Sequence, residues 1–587
     1  MKSVSSKKVL ATSLVLLFVL LLAGCSPSLE KGRKPSVDWS RSLPLGDAAS
    51  SVAGIAVDQQ TDTIHIAWPA QDDLGNVSLR YVQLDQRGKI AIEHEIARFS
   101  EPVRSLQLLS GAAGRTHLFW IEQVPNSKQW KLWFTQLDEG GKEVIDPLQL
   151  SGDSSWVAVY TAVPDLDGGV ALLWKDIDTG GFYFARISSL GEIIQGPFIL
   201  IEGGQDASLG VDSDGRIHLV WLEGSTFFYQ DLVVADAVPV EGIKITSIPM
   251  GTGDRVDGPI LGLADGWVYV FWSVLIQSGL ESGTAHTSYI AFPLGNPQGS
   301  SVEERIGILP LEEQPYRPFH GAYNLTEWVP QGDIVRSSPF VYEPSYPNTY
   351  QSDLGLALAV NQDYRLDSYI QVAVAIFQSG QFGGYTFGGK TLDISGDAVL
   401  ANDSQGNLHM VWRDGAAGNL VYYATTAPQA RQNLDSLGFD DLSSLFLTGA
   451  LEAITGVLLF PLAIPWMVIG LVILVIWRLV RNEEDLTYRS SRILVAIAIL
   501  SFELSKFLFM PTIVEYMPFS AWIDIPAQWQ PFVRIATPVV ILAIALIAAE
   551  WLRRKRTSST LPYFFTVVVV DTVLTLSIYG VTFMGAY

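Results

Sequence analysis

Short apolar runs that end in tryptophan recur through the first two thirds of the chain and predict β-strands. The runs IHIAW, THLFW, VALLW, IHLVW, VYVFW and LHMVW end at six tryptophans, which we call the kernel tryptophans: Trp68, Trp120, Trp174, Trp221, Trp272 and Trp412. The first five are 52, 54, 47 and 51 residues apart. Six residues before each stands Gly, or Asp62 in the first copy, and a further apolar run precedes this turn. The pattern predicts a repeated unit.

The remainder of each unit also reads as strands. After the tryptophan comes an aromatic strand, as in SLRYVQLD, KLWFTQLD, FYFARIS and LVYYATT. A turn containing Gly88 or Gly140 and a last strand such as GPFILI follow, with no helical period between them. Four short strands in a unit of about 40 to 55 residues are typical of a β-propeller blade. The sequence therefore predicts an all-β propeller in this region.

The number of blades and the closure of the ring follow from the less regular segments. Between Trp272 and Trp412 the segment YIQVAVAIFQSGQFGGYTF is a degenerate copy, with Phe377 at the tryptophan position and Gln371 at the glycine position. Counting it gives about seven four-stranded blades. The last copy stops near Thr426, whereas SRSLPLGDAAS, before the first blade, resembles a last strand. We expect this N-terminal strand to complete the last blade, because that closure leaves no unpaired edge.

Four apolar stretches in the last quarter of the chain predict an α-helical transmembrane domain of four spans. They run from Ile454 to Trp477, Ile493 to Met510, Ile535 to Leu552 and Leu561 to Tyr587. A span needs roughly 20 mostly apolar residues. Three intramembrane charges, Glu503, Lys506 and Asp571, fall within these stretches. Such charges mark functional sites by default, and an interhelical ion pair that specifies packing is the alternative.

The N-terminus reads as an export signal. Basic residues at Lys2, Lys7 and Lys8 precede an apolar run, which ends in Leu-Ala-Gly-Cys at Cys25. These four residues resemble the bacterial lipobox, and the resemblance implies a lipid on Cys25 and cleavage before it. An ordinary cleaved signal or an uncleaved anchor is the alternative. Cys25 is the only cysteine, which rules out an intrachain disulfide.

Charged loops predict the orientation in the membrane. The loops after the first and third apolar stretches are rich in arginine, whereas residues 511–531 contain no Lys or Arg. The positive-inside rule places the basic loops in the cytoplasm. With four spans, the propeller and the C-terminus are then extracytoplasmic, at a bacterial cytoplasmic membrane. The predicted order is a signal peptide at 1–25, a tether at 26–35, the propeller at 36–426, a linker at 427–446 and the membrane domain at 447–587.

The excess of acidic residues in the propeller region limits which kinds of molecule it is expected to bind. Residues 26–440 contain 25 basic and 50 acidic residues. Nucleic-acid binding needs a basic footprint, so nucleic acid is not an expected partner. No cofactor or metal is predicted either, because the acids of DSDG at Asp212 and Asp214 are too few for a calcium loop. The histidines three residues before the tryptophans are spread around the ring, so we do not expect them to converge on an ion.

The repeats resemble the sialidase-like propellers, including bacterial lipoproteins built on that fold. The S-x-D-x-G-x-x-W motif of that superfamily is absent, and the acid, glycine and tryptophan signal lies in a different turn. The resemblance also implies three arginines around a carboxylate. Candidates are available, including Arg104, Arg186, Arg216 and Arg413, but the sequence does not select a triad. The resemblance therefore supports the fold, and no catalytic residue is assigned.

One segment inside the propeller does not repeat. Residues 311–353 are rich in aromatic residues and proline, which is unusual for a disordered segment. We interpret the segment as an ordered loop that caps one face and binds a sugar or a peptide; a structural brace is the alternative. Its aromatic residues form the candidate binding loop: Tyr316, Phe319, Tyr323, Trp328, Phe340, Tyr342, Tyr346 and Tyr350.

These observations predict a binding or scaffold module, anchored in the lipid bilayer, for a protein or glycan at the outer face of the membrane. Two alternatives remain open at this stage. One is an exported glycosidase or sialidase-like hydrolase. The other is an accessory subunit of a membrane transport or envelope-assembly complex, with an integral-membrane partner and a role for the three intramembrane charges.

Overall fold

A computed structural model of the protein divides into two compact units, which we describe separately. The first is formed by Leu29–Tyr364 and Ser368–Ser436, and the second consists mainly of Leu437–Tyr587. The structure describes residues 35–307, 341–436, 438 and 458–579, with breaks at 37, 50–51, 72–75, 234–238, 278–281, 300–301, 343–347, 351–352, 365–366, 390, 392–393, 416–418, 459, 482–484, 510–516, 519–526 and 556–557.

The first unit is a seven-bladed β-propeller, and its first four complete blades follow one plan. Strand β1 (Leu43–Asp47) belongs to the last blade. Blade one holds β2 to β5, at Gly54–Val57, Ile64–Gln71, Val77–Leu84 and Ile90–Phe99. Blade two holds β6 to β9, at Val103–Ser110, Thr116–Gln123, Trp130–Leu137 and Glu143–Gln149. Blade three holds β10 to β13, at Val157–Pro164, Val170–Asp176, Phe182–Ile187 and Ile193–Ile201. Blade four holds β14 to β17, at Asp206–Val211, Ile217–Glu223, Thr226–Leu232 and Ile243–Ser247.

The remaining three blades complete the ring. Blade five holds β18 to β21, at Arg255–Ala264, Trp267–Leu275, Ala285–Pro293 and Glu304–Arg305. Blade six holds β22 to β26, at Val341–Tyr342, Asn348–Tyr350, Asp353–Tyr364, Asp367–Gln378 and Gln381–Phe387. Blade seven holds β27 to β29, at Ser395–Asn402, Leu408–Asp414 and Leu420–Thr425, together with β1. The predicted seven blades are confirmed, including the degenerate sixth.

The N-terminal strand closes the ring. Strand β1 pairs antiparallel with β29, with Leu43 opposite Tyr423 and Asp47 opposite Leu420. Just before β1, the Ser40 amide donates to the carbonyl of Thr425 at 2.9 Å. A short helix, α1 (Pro428–Leu434), follows β29 inside the segment predicted as a linker, and it packs against blades one and seven. The last blade is thus built from both ends of the propeller sequence.

The hydrophobic core is divided into seven clusters, each lying between two neighbouring blades. Six clusters each contain one kernel tryptophan, and the seventh, between blades five and six, contains Phe377. The kernel tryptophans are at most 5% exposed. Truncating such a buried aromatic side chain costs about 3–5 kcal/mol. The repeat therefore supplies one anchor for each seam between blades.

Several turns use an aspartate three residues before a glycine, a pattern that the sequence interpretation missed. In the stretch VDSDGRIHLVW, Asp212 Oδ1 accepts the amides of Asp214 at 2.9 Å and Arg216 at 2.8 Å, and Gly215 has φ +77°. Another such turn, from Asp138 to Gly141, lies between β8 and β9. Its positive φ falls on Gly141 and not on the predicted Gly140, because the side-chain cap fixes a type I turn followed by a left-handed residue.

The second unit contains four long helices packed around one apolar cluster. They are α2 (Ile464–Arg481), α3 (Arg489–Phe509), α4 (Gln530–Lys555) and α5 (Thr560–Tyr579). Within the described residues, three of them, α2, α4 and α5, are long and apolar enough to cross a membrane. The prediction of four spans is corrected here: α3 forms, but its two arginines, Glu503, Lys506 and four serines make it too polar to count as a span.

Part of the predicted aromatic loop belongs to blade six. Tyr342 ends β22 and Tyr350 ends β23, and both short strands pair with β24. The remaining candidates of that loop, Tyr316, Phe319, Tyr323, Trp328, Phe340 and Tyr346, lie outside the described residues, as does Cys25.

Candidate functional site: the mouth of the central channel

A channel of about 910 Å³ runs along the axis of the propeller. Its wall is formed by the first strands of blades one to five and blade seven, with small residues such as Gly54, Ala56, Gly210 and Gly262. Ligand-binding clefts have volumes of about 300–1,000 Å³. The channel is therefore large enough to hold a small organic ligand.

Aspartates gather at the end of the channel where the first strands begin. Asp206, Asp257 and Asp397 each lie 15 residues before a kernel tryptophan, and Ser105 holds that place in blade two. Blades repeat by rotation about the channel axis, so residues at one repeat position meet at the same end. Asp257, Asp397 and Ser105 line the channel, and Asp206 begins β14. We call the three aspartates the acidic rim.

The backbone is bulged at this same end. The pairing of the first two strands shifts register just after the start of blades two, three, five and seven. Ser105 and Asp397 adopt φ values of +53° and +54°, which side-chain-bearing residues rarely do. Each such residue costs about 1–3 kcal/mol, and bulges are frequent beside functional sites, where they redirect side chains. Bulges therefore lie beside Asp257 and Asp397, whereas β14, which begins at Asp206, pairs with β15 in regular register.

One carboxylate of the rim is neutralised within the protein. Asp397 forms an ion pair with Arg413, whose Nη2 lies 2.8 Å from Asp397 Oδ2. Arg413 Nη1 also donates to Asn419 Oδ1 at 3.2 Å. This pair lies within blade seven and positions Asp397 at the channel wall.

The other two carboxylates form no ion pair within the part of the chain that the structure describes. Burial raises the pKa of Asp206 to about 7, and the nearby charge of Asp257 adds to that rise. The amide of Ala207 and the ammonium of Lys175 oppose it, but Lys175 donates its hydrogen bond to the carbonyl of Gly204. Burial also raises the pKa of Asp257, and the charge of Arg255 and the amide of Gly258 oppose that rise only in part. Asp206 therefore titrates close to neutral pH.

The four candidate arginines do not converge on this site. Arg186 pairs with Asp165 at 2.6 Å, and Arg216 pairs with Asp231; both pairs lie at the opposite end of the blades. Arg104 lies at the rim end, but it donates to the carbonyl of Ala158 at 3.1 Å, with its guanidinium 4.2 Å from the Trp130 ring. These arginines thus do not form the cluster that the sialidase resemblance implied.

The repeated histidines take part in separate hydrogen-bond chains. His218 contacts Tyr229 Oη at 2.7 Å and Asp212 Oδ2 at 3.1 Å. In blade seven, His409 bonds to Tyr423 and Asp403 in the same way, and in blade one His65 bonds to Tyr81. His117 instead contacts the carbonyl of Gly168 in the next blade at 3.0 Å. The four histidines belong to four different blades and have different partners, so they do not share a site.

The three charges predicted in the membrane domain do meet. Lys506 Nζ lies 2.7 Å from Asp571 Oδ1 and 2.8 Å from Glu503 Oε2. The ion pair joins α3 to α5, which pack together in the apolar cluster. The sequence placed Glu503 and Lys506 on one helix face, but only the packing of the helices brings Asp571 to them.

The fold and the rim together define an acid-rimmed seven-bladed propeller, followed in sequence by a helical bundle with three candidate spans. No protein-family model matches the chain, and no curated protein matches it. Solved structures match part of the chain at low similarity. The polysaccharide lyase Uly1 matches at 10% identity and a TM-score of 0.39, over 68% of this chain and 94% of that one.

Two further solved structures match at a similarly low level. An endo-arabinase from Bacteroides thetaiotaomicron matches at 13% identity and a TM-score of 0.28, over 67% of this chain and 96% of that one. NanB, in a complex with Optactamide, matches at 10% identity and a TM-score of 0.32, over 69% of this chain and 72% of that one. At these identities the likeness concerns the fold alone.

Proposed function

We propose that the protein is a membrane-anchored β-propeller that binds a glycan at the acidic rim of its channel. The observation that supports this proposal is the placement of Asp206 and Asp257, two carboxyl groups free of ion pairs among the described residues, beside a channel of about 910 Å³. Carboxylates accept hydrogen bonds from neighbouring hydroxyl groups, the donors that a sugar presents in number. The backbone bulge that begins at Asp257 favours a binding role over a packing role there.

The charge of the rim restricts which glycans fit. Asp206 and Asp257 would repel a uronate or a sialic acid, and the charge of Arg255, two residues before Asp257, offsets this only in part. Neutral sugars and amino sugars carry no such penalty. We therefore expect neutral or amino-sugar oligosaccharides as ligands and acidic ones to be rejected.

The membrane anchor is part of the proposal. The three apolar helices support anchoring in a bilayer. A lipid on Cys25 would place the propeller on the extracytoplasmic side, as the signal sequence predicts. Labelling cells with radioactive palmitate and comparing the wild type with Cys25→Ala tests the lipid. Cleavage of the propeller by protease added outside spheroplasts tests the side, and full protection would contradict the proposed location.

The binding test uses the full-length protein in lipid nanodiscs. A panel of neutral, amino-sugar and uronate oligosaccharides is immobilised, and retention of the wild type is compared with that of Asp206→Asn and Asp257→Asn. We expect retention on a neutral or amino-sugar glycan and at least a tenfold loss of affinity in each variant, about 1.4 kcal/mol. Asp214→Asn is the matched control, because this exposed residue lies in the same blade at the opposite end. Equal retention of all four proteins would refute the rim as the binding site.

Glycan hydrolysis is the second candidate function, and one observation favours it. Asp206, with a pKa of about 7, adjoins a second carboxyl group, and glycoside hydrolysis needs a protonated acid beside a carboxylate. New reducing ends released by the wild type and not by Asp206→Asn would establish it. Retention of an intact glycan would leave the protein a binding module, and a requirement for a membrane protein partner in either assay would indicate the accessory-subunit alternative.

A further inference from the structure

The ion cluster in the helical bundle is largely buried. Lys506 is 1% exposed and Asp571 is fully buried, whereas the Glu503 side chain keeps 13% of its surface exposed. The Lys506 ammonium contacts one oxygen of each carboxylate, at 2.7 Å and 2.8 Å. Thr575 Oγ1 donates to Asp571 Oδ1 at 3.2 Å. All the described contacts of the Asp571 carboxylate are therefore made by one oxygen.

The other oxygen of each carboxyl group has no partner among the described residues. Asp571 Oδ2 and Glu503 Oε1 are both buried and accept no hydrogen bond. Two carboxylates and one ammonium also leave the cluster with a net charge of minus one. A buried uncompensated charge and an unsatisfied buried oxygen are both unfavourable. The cluster lacks one positive charge and one hydrogen-bond donor.

No other described charge supplies what is missing. The charges that act on Glu503 come from Lys506 and Asp571. On α4, Glu550 pairs with Arg553 at 2.7 Å and Arg554 at 3.1 Å. The other charged or titratable side chains described on the packed helices do not appear in the ion pairs of the cluster: Arg478, Arg481, Arg489, Arg492, Arg534, Tyr563 and Tyr579.

We propose that the cluster of Glu503, Lys506 and Asp571 binds one exchangeable proton. A proton added from water to a carboxylate oxygen makes the cluster neutral and turns an orphaned acceptor into a donor. The two carboxyl groups interact directly as well as through Lys506, so the proton can be shared between them. Glu503 is the member through which the proton enters and leaves, because it alone reaches the surface of the bundle. The site is distinct from the glycan site proposed for the propeller.

Infrared spectroscopy of the full-length protein in nanodiscs tests this assignment. Every protein in the test, including the one called wild type for the cluster, carries Asp206→Asn and Asp257→Asn, because burial also raises the pKa of these two rim carboxyl groups. A protonated carboxylic acid has a carbonyl stretch apart from the amide bands, and the band shifts in heavy water. We expect the wild type to show such a band at neutral pH and to lose it reversibly in alkaline solution. Glu503→Gln and Asp571→Asn should each lack the band. In each variant the remaining carboxylate and the Lys506 ammonium together carry no net charge, so no proton is needed. Glu550→Gln, which changes a paired carboxylate on α4, is the matched control and should keep it.

A second variant keeps the proposal open to refutation if the first pair folds poorly. Lys506→Met removes the ammonium, so both carboxyl groups should be protonated and the band should roughly double. Far-ultraviolet circular dichroism and gel filtration identify the variants that fold. The proposal is overturned if the folded wild type shows no protonated acid at any pH, or if the band survives in both Glu503→Gln and Asp571→Asn. A band that does not titrate while the bundle stays folded would also overturn it, since the proton would not exchange.

Discussion

Replacing Asp206 by Asn should stabilise the propeller in mildly alkaline solution while weakening glycan binding. Burial gives the Asp206 carboxyl group a pKa of about 7, so the folded protein resists its ionisation. The asparagine side chain has nearly the same shape and carries no charge. A residue kept at a cost to stability is the expected signature of a functional position.

The size of the expected stability change follows from the rise in the pKa of Asp206. The pKa of Asp206 rises from 3.8 to about 7, so between these values the folded state binds more protons than the unfolded state. The contribution of Asp206 to the free energy of unfolding is then fully present below the unfolded-state pKa of 3.8, and it is lost as the pH rises through the folded-state pKa of about 7. The window from about pH 5 to about pH 7 corresponds to at most about 3 kcal/mol at 1.4 kcal/mol per unit. Because Asp206 is only partly buried, we expect about 1 to 2 kcal/mol.

Chemical unfolding of the full-length protein in detergent, followed by tryptophan fluorescence, provides the measurement. The free energy of unfolding is compared at about pH 5 and about pH 8 for the wild type, Asp206→Asn and the control Asp214→Asn. Only Asp206→Asn should gain about 1 to 2 kcal/mol relative to the wild type on going to the higher pH. If all three proteins lose stability in parallel, Asp206 is not held in its protonated form and the account of the rim is wrong.

Two further predictions concern the frame of the propeller. Burial lowers the pKa of His65, which bonds to Tyr81, to about 4. Lowering the pH from about 6.5 to about 4 should therefore reduce the free energy of unfolding of the wild type by up to about 3 kcal/mol. His65→Gln should lose less over that range in the same unfolding assay. Gly168→Ala should destabilise the propeller by about 2–4 kcal/mol, since its new Cβ would lie 2.5 Å from the Ala112 amide nitrogen. Gly266→Ala is the control, because Gly266 has a similar φ but open space around it, and it should cost about 1 kcal/mol. Equal melting temperatures for the two variants would contradict this contrast.

Local patterns in the sequence were enough to predict the ring. Each blade is specified by strands close together in the chain, and the tryptophan at each seam marks its period, as at Trp221 and Trp272. Even the sixth blade was recognisable, because Phe377 takes the same buried place without the glycine turn. The turns were harder. An Asp-Gly pair predicts a two-residue hairpin, which holds at Asp265. At Asp214 a side-chain cap from Asp212, two residues earlier, decides the geometry instead.

The acidic rim was not predicted, because its members come from different blades. Asp206 and Asp257 are 51 residues apart and belong to no local motif. Their common distance from the next kernel tryptophan was the available signal, and it acquires meaning only when the ring closes. The same reason applies to the helical bundle, where the sequence paired Glu503 with Lys506 but could not show that Asp571 completes the cluster.

The pairing of β1 with β29 affects how the propeller folds and unfolds. Leu43 must wait unpaired until Tyr423, at the far end of the propeller sequence, has been synthesised. During that interval its edge and the apolar faces of the first blade are open to other chains. Once formed, the junction makes the ring one cooperative unit, unlike an open solenoid whose end repeats can fray alone. Disrupting the pairing of β1 with β29 should therefore unfold the whole propeller. The yield of folded protein should depend on whether the chain avoids aggregation until this pairing forms.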